Sequence, residues 1–129
     1  MILAVREPLT DPELNTLYAA AWPGHTPTAF TPVLARALTW LTARRDGHLT
    51  GFVYVATDGG RHAFLLDPTV HPAERHRGLG RRLVRGATEQ ARAAGAVWLH
   101  VDHEPHLAGF YEGCGFRPTA AGLLRLDAG

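Results

Sequence analysis

The sequence predicts one α/β (α+β) domain, and three observations predict it. A chain of 129 residues with 46% hydrophobic content suits a single globular core, expected to span 1–129. Two strand-like runs, "HLTGFVYVAT" and "RHAFLLDPTV", are bracketed by Asp46-Gly47 and Asp58-Gly59-Gly60, which reads as an antiparallel meander. The hydrophobic period then changes from two to helical at Leu79.

Each element follows from local chemistry. "ILAVRE" alternates as a short strand, and "TDPELNTLYAAAW" opens a helix with Thr10 or Asp11 as N-cap and Pro12 in its first turn. "PGHTPT" is a loop of breakers. "TPVLARALTWLTARR" repeats the capping logic at Thr31 and Pro32 and carries apolar residues at helical spacing, so it is expected to be a second helix that turns to strand only near Ala43. From Leu79 to Ala94, apolar Leu79, Leu83, Val84, Ala87, Ala91 and Ala94 take one helix face, and Arg81, Arg82, Arg85, Glu89 and Arg92 take the other. Gly95 stops that helix. "AVWLHV" reads as a buried strand, "PHLAGFYEG" as a short helix, and "GFRP" with "GLLRL" as a closing hairpin.

Composition excludes several function classes. The net charge of +1 argues against a nucleic-acid partner despite 13 cations, all of them Arg. No apolar run is long enough to span a bilayer, so no membrane partner is expected. Arg6 and Glu7 interrupt the N-terminal apolar stretch too early for a secretory signal, and the lone Cys114 cannot form an intrachain disulfide. The expected location is therefore cytoplasmic.

The chemistry concentrates in "HPAERHRGLGRRLV", residues 71–84, where Gly78 and Gly80 lie among arginines at the mouth of a helix. Such a turn gathers backbone N–H groups into a concave nest beside the positive end of the helix dipole, which is a site for an anion. A Rossmann fingerprint is excluded because Leu83 occupies its third glycine position, and there is no Walker-type Gly-Lys-Ser/Thr.

Arg75-His76-Arg77-Gly78-Leu79-Gly80 resembles the Arg/Gln-x-x-Gly-x-Gly/Ala motif of the GNAT superfamily, the acyl-CoA-dependent N-acetyltransferases. Upstream, "LLDPTVHP" is similar to the end of that family's fourth strand, and downstream "FYEGCGF" resembles its closing motif. The resemblance covers roughly 48–126 closely and 1–47 by element order. It implies a mixed, mostly antiparallel sheet of about seven strands with about four helices, splayed between the fourth and fifth strands. It also implies acetyl-CoA as co-substrate, with Val70, His71, Arg75, His76, Arg77, Gly78, Leu79, Gly80 and Arg81 binding it.

Acetyl transfer needs a neutral amine, a polarised thioester carbonyl and a proton for the leaving thiolate. By resemblance, Tyr111 supplies that proton. Asp102 lies where glucosamine-phosphate acetyltransferases carry a catalytic aspartate, so it is the expected base, with His103, Glu104 and His106 as alternatives. Where other relatives project a base from the fourth strand, this chain has Phe64 and Leu66, and strict alternation turns Asp67 to the opposite face. The family's backbone oxyanion donor falls at Pro68, which has no N–H; a bulge would transfer that duty to Thr69 or Val70.

No metal is expected, because the i to i+3 steps between His100, His103 and His106 place side chains on opposite faces of a strand, and helical spacing is not available before Pro105. Cys114 is expected to be a small buried apolar residue. Trp22, His25, Phe30 and Trp40 are the candidates to line the acceptor site under the first two helices. The implied acceptor is a small-molecule or peptide amine, attacked directly in a ternary complex. The alternative is a catalytically weak acyl-CoA-binding or sensing module. Oligomeric state stays open, a homodimer included.

Overall fold

The computed structural model describes residues 1–127. β1 (Ile2–Val5) leads to α1 (Asp11–Ala21), then α2 (Thr31–Arg36), β2 (Thr39–Arg45), β3 (His48–Thr57), β4 (His62–Val70), α3 (Leu79–Ala93), β5 (Trp98–Val101) and α4 (Ala108–Gly113). The five strands lie in the order β1-β2-β3-β4-β5, antiparallel except for the parallel β4–β5 pair.

Caps and turns follow the sequence closely. Thr10 and Glu13 close a capping box on α1, the Glu13 N–H donating to Thr10 Oγ1 (3.3 Å) and the Thr10 N–H to Glu13 Oε2 (2.8 Å). Asp46 and Gly47, at φ 51° and 81°, make the two-residue connection between β2 and β3. Asp58 Oδ1 accepts the Gly60 and His62 N–H groups in the turn before β4.

The sheet has a core on each face. On one, α3 lays Leu79, Leu83, Val84, Ala87 and Ala91 against Leu41, Ala43, Val53, Val55, Ala63 and Leu65. Burying a side chain such as Leu83 or Val84 contributes about 1.5–3 kcal/mol. Close approach here requires Gly86, whose missing Cβ would lie 2.3 Å from Leu41 Cδ2. On the other face, Leu14, Leu17 and Tyr18 of α1 pack with Phe30 and Phe52.

Two expectations about secondary structure are corrected. The second helix stops at Arg36, Ala37 is extended (φ −69°, ψ 143°), and residues 39–45 form a strand. There Leu41 and Ala43 face α3 while β1 and β3 pair on either side, so sheet pairing overrides the local helical period. The closing hairpin does not form among the described residues, which leaves five strands where about seven are expected. Pro118 falls in its first arm and has no N–H for a ladder.

Two features of β4 position the site. It pairs with β5 only as far as Leu65 and Val101, so the strands part before the Asp67–Val70 segment. On the β3 side, Tyr54 pairs with Leu66 and Phe52 with Thr69, so Val53 alone stands opposite Asp67 and Pro68. This is a β-bulge.

Candidate active site

Where β4 and β5 part, a cleft of about 810 Å³ opens between the end of β4, the start of α3, the end of α1 and α4. Val70, Arg75, His76, Gly78, Leu79, Gly80, Arg81 and Tyr111 all line it.

One wall is built for an anion. Gly78, in the left-handed region (φ 80°), is the N-cap of α3 and no side chain caps it, and His76 is left-handed too (φ 64°). The Arg82 N–H already donates to the Gly78 carbonyl (3.1 Å), so the orphan amides of the first turn are those of Leu79, Gly80 and Arg81. Arg75 and Arg81 add charge. Arg75 Nη2 donates to the Ala21 carbonyl at the end of α1 (3.1 Å), tying that helix to the loop. Glu74 is buried and pinned by Arg45 Nε at 2.6 Å, and Arg77 approaches it at 3.6 Å. The Arg45 guanidinium holds the Glu74 carboxyl below its usual range, so the one acid in the loop arrives already paired.

The opposite end of the cleft carries acid–base groups. The His71 N–H donates to the Thr50 carbonyl (2.8 Å), which sets the strand's parity: alternate residues direct N–H toward β3, and the Val70 N–H points away from it, into the gap left by β5. Tyr111 is 5% exposed, and its hydroxyl makes no hydrogen bond among the described residues yet is not sealed from the cleft. Burial, with Cys114 and Asp67 adding to it, pushes its pKa up to about 12, so it keeps its proton at any physiological pH. His103 stacks on its ring (4.8 Å), and Phe110 and Phe116 meet it edge-on.

Asp67 overturns the expected strand alternation. The bulge and its own left-handed backbone (φ 49°) turn it to the α1 face, where Oδ2 accepts the Tyr18 hydroxyl (3.1 Å). Although open to solvent, the carboxyl is crowded by protein, and burial raises its pKa against the lowering effect of the Tyr18 hydrogen bond. The bulge is locked from both sides: Trp22 Nε1 donates to Thr69 Oγ1 (3.1 Å), and Thr69 Oγ1 donates to the Asp67 carbonyl (2.8 Å).

This arrangement has known relatives. The model of the acetyltransferase (GNAT) family matches residues 10–116. The chain belongs to the GNAT acetyltransferase family. A mycothiol acetyltransferase of Thermomonospora curvata is 33% identical over 116 residues, covering 82% of this chain and 38% of that protein. Glucosamine 6-phosphate N-acetyltransferase 1 of Oryza sativa subsp. japonica is 44% identical over 57 residues, 44% of this chain and 34% of its own length. The chain thus spans little more than a third of these curated relatives. A GNAT family protein of Streptococcus pneumoniae shares the fold, with a TM-score of 0.83, 21% identity, and coverage of 98% of this chain and 97% of that one.

Within this GNAT domain the remaining expected site residues divide between the cleft and its surroundings. His71 Nδ1 accepts the Ala73 N–H (3.1 Å) and braces the turn before the anion loop, and the exposed Arg77 reaches only Glu74. Asp102 is exposed at the end of β5 and makes no hydrogen bond among the described residues. Of its alternatives His106 lines the cleft, while Glu104 is exposed and its carbonyl accepts from His103 Nδ1 (2.7 Å). Trp22 lines the cleft; Phe30 and Trp40 pack in the core beneath α1, and His25 Nε2 is held by Asn15 Oδ1 (2.8 Å). Cys114 is half-buried, and burial pushes its thiol up. No helix among the described residues is long and apolar enough to cross a membrane.

Proposed function

We propose that the chain is an acetyl-CoA-dependent N-acetyltransferase that moves an acetyl group to a primary amine of a small molecule or peptide by direct attack in a ternary complex. The observation that carries this is the convergence on one cleft of the α3 amide nest, the outward Val70 N–H and a protonated Tyr111 hydroxyl.

The α3 amides with Arg75 and Arg81 suit the pyrophosphate of CoA. The Val70 N–H stabilises the oxyanion as the amine nitrogen bonds to the thioester carbon, performing the duty that Pro68 cannot. As the C–S bond breaks, Tyr111 protonates the thiolate. Asp67 takes the amine's proton through water and replaces Asp102 as the preferred base: both carboxyls are exposed and neither lines the cleft, but Asp67 is next to the cleft-lining Pro68 and is held by the Tyr18 hydroxyl, whereas Asp102 makes no hydrogen bond among the described residues. Acceptors named for relatives, glucosamine 6-phosphate above all, set the class to try first. A reducing cytoplasm suits this chemistry and the free Cys114.

The test is a thermal-shift titration with acetyl-CoA, followed by thiol release with a panel of amines that includes glucosamine 6-phosphate. A ligand at 100 times its Kd stabilises by about 2.7 kcal/mol. For a domain of this size that is a shift on the order of 10 °C. No shift at millimolar acetyl-CoA refutes the proposal. A shift without release from any amine favours the weak binding module, for which Pro68 is the specific motive.

A further inference from the structure

The bulge that turns the Val70 N–H outward is held by side chains as well as by the ladder. Pro68 brings no N–H to the strand, and Asp67 sits in the left-handed region (φ 49°), a backbone state that costs free energy in a residue bearing a Cβ. Thr69, 1% exposed, supplies a hold: its single hydroxyl proton goes to the Asp67 carbonyl (2.8 Å). The Trp22 indole aims that hydroxyl. Its Nε1–H can only donate, so the bond to Thr69 Oγ1 (3.1 Å) occupies a lone pair and leaves Thr69 its own proton for Asp67.

Trp22 is fixed in turn by α1. It caps the helix, its backbone N–H donating to the Tyr18 carbonyl (2.8 Å), and one turn earlier the Tyr18 hydroxyl holds Asp67 Oδ2 (3.1 Å). The end of α1 therefore grips both the carboxyl and the carbonyl of the residue that sets the parity of Val70.

We propose that Trp22 is a positioning residue for acetyl transfer: its indole N–H, acting through the Thr69 hydroxyl, holds the bulge in the register that aims the Val70 N–H at the thioester oxyanion. The inference rests on the reading of Val70 as the oxyanion donor. The Trp22 ring also lines the cleft, so two roles have to be separated. A ring that walls the cleft acts on substrate affinity, whereas a hold on the oxyanion donor acts on the transition state and hence on turnover.

Trp22→Phe keeps a ring in the wall and deletes the N–H. In thiol-release assays its kcat is expected to fall roughly 10- to 100-fold, the scale of a donor misplaced by about 1 Å. KM for acetyl-CoA and for the amine should each stay within about threefold. Thr69→Val deletes the relay and should lose as much, while Thr69→Ser, which keeps the hydroxyl, should stay within about threefold of the wild-type kcat. Because both residues act along one path, the double variant Trp22→Phe/Thr69→Val should be no slower than Thr69→Val alone. An unchanged kcat in Trp22→Phe, a loss carried by KM, or losses that multiply in the double variant overturns the proposal. Should Thr69→Val fail to fold, Trp22→Phe set against Thr69→Ser still decides. A wild type that releases no thiol with any amine defeats the reading of the reaction instead, and NMR then tests the hold by itself. The Asp67, Thr69 and Val70 amide resonances should move in Trp22→Phe and keep their places in Thr69→Ser, with the α3 amides unmoved in both; unmoved bulge amides in Trp22→Phe overturn the proposal.

Discussion

Tyr111→Phe removes one oxygen from a ring that is otherwise held on three sides by His103, Phe110 and Phe116. The hydroxyl has no partner among the described residues, so its loss leaves no orphaned group there and the fold should be as stable at pH 7 within about 0.5 kcal/mol. Alkaline pH separates the two proteins. A phenol whose pKa is about 12 when folded and 10 when unfolded contributes stability that is complete below pH 10 and lost as pH rises through 12, about 2–3 kcal/mol in all. The wild type should therefore lose its melting temperature more steeply than the variant above pH 10. In thiol-release assays, kcat should fall by about 10²–10⁴, the usual worth of a positioned general acid, while KM for acetyl-CoA stays within a few-fold. The loss should shrink with an acyl donor whose thiol is more acidic, because that leaving group needs less protonation. An equal loss with both donors would refute proton donation and leave Tyr111 as a positioning residue, and an unchanged kcat would leave it as packing.

Asp67→Asn should lower kcat by about 10²–10⁴ with little change in acetyl-CoA binding. Because folding raises the Asp67 pKa, the carboxylate's cost is absent below the unfolded value and grows as pH rises through the folded one; the Asn variant should therefore melt at an equal or higher temperature at pH 7, with the difference vanishing near pH 3. Tyr18→Phe deletes the one hydrogen bond that lowers the Asp67 pKa, so the acidic limb of the kcat/KM profile should move to higher pH; an unmoved limb would dissociate Asp67 from the proton transfer. Gly80→Val would set its Cβ 3.4 Å from the Phe110 ring and 3.8 Å from Val70, both in the cleft wall, and its added methyls narrow the cleft beside the anion nest, so calorimetry should show acetyl-CoA affinity at least about tenfold weaker, with far-UV circular dichroism unchanged. Arg75→Ala should cost less and matter less at high salt, because its guanidinium is exposed and already shared with the Ala21 carbonyl.

What was legible in the sequence is what is locally encoded. The nest at 76–80 needs only its own glycine and the helix that follows, and the Tyr111 helix needs only its own turn, so both stand where the spacing places them. Residues 39–42 read as helix because their period is ambiguous and the decision rests with β1 and β3, whose pairing no local pattern records. Asp67 is the sharper case. Alternation is a rule about unbroken strands, and whether one residue or two face Val53 is a fact about pairing that no single strand's sequence records. Pro68 was the available signal, since a proline inside a strand marks a bulge, yet its missing N–H reads first as a lost oxyanion donor. The two consequences have one origin. The extra residue that Pro68 marks turns Asp67 toward Tyr18 and resets the parity of Thr69 and Val70, so the Val70 N–H points into the gap where β4 and β5 part. A proline whose missing N–H reads as a lost oxyanion donor thus sits in the bulge that turns the Val70 N–H, the proposed donor, into the gap, and the same bulge turns the proposed base, Asp67, to the α1 face.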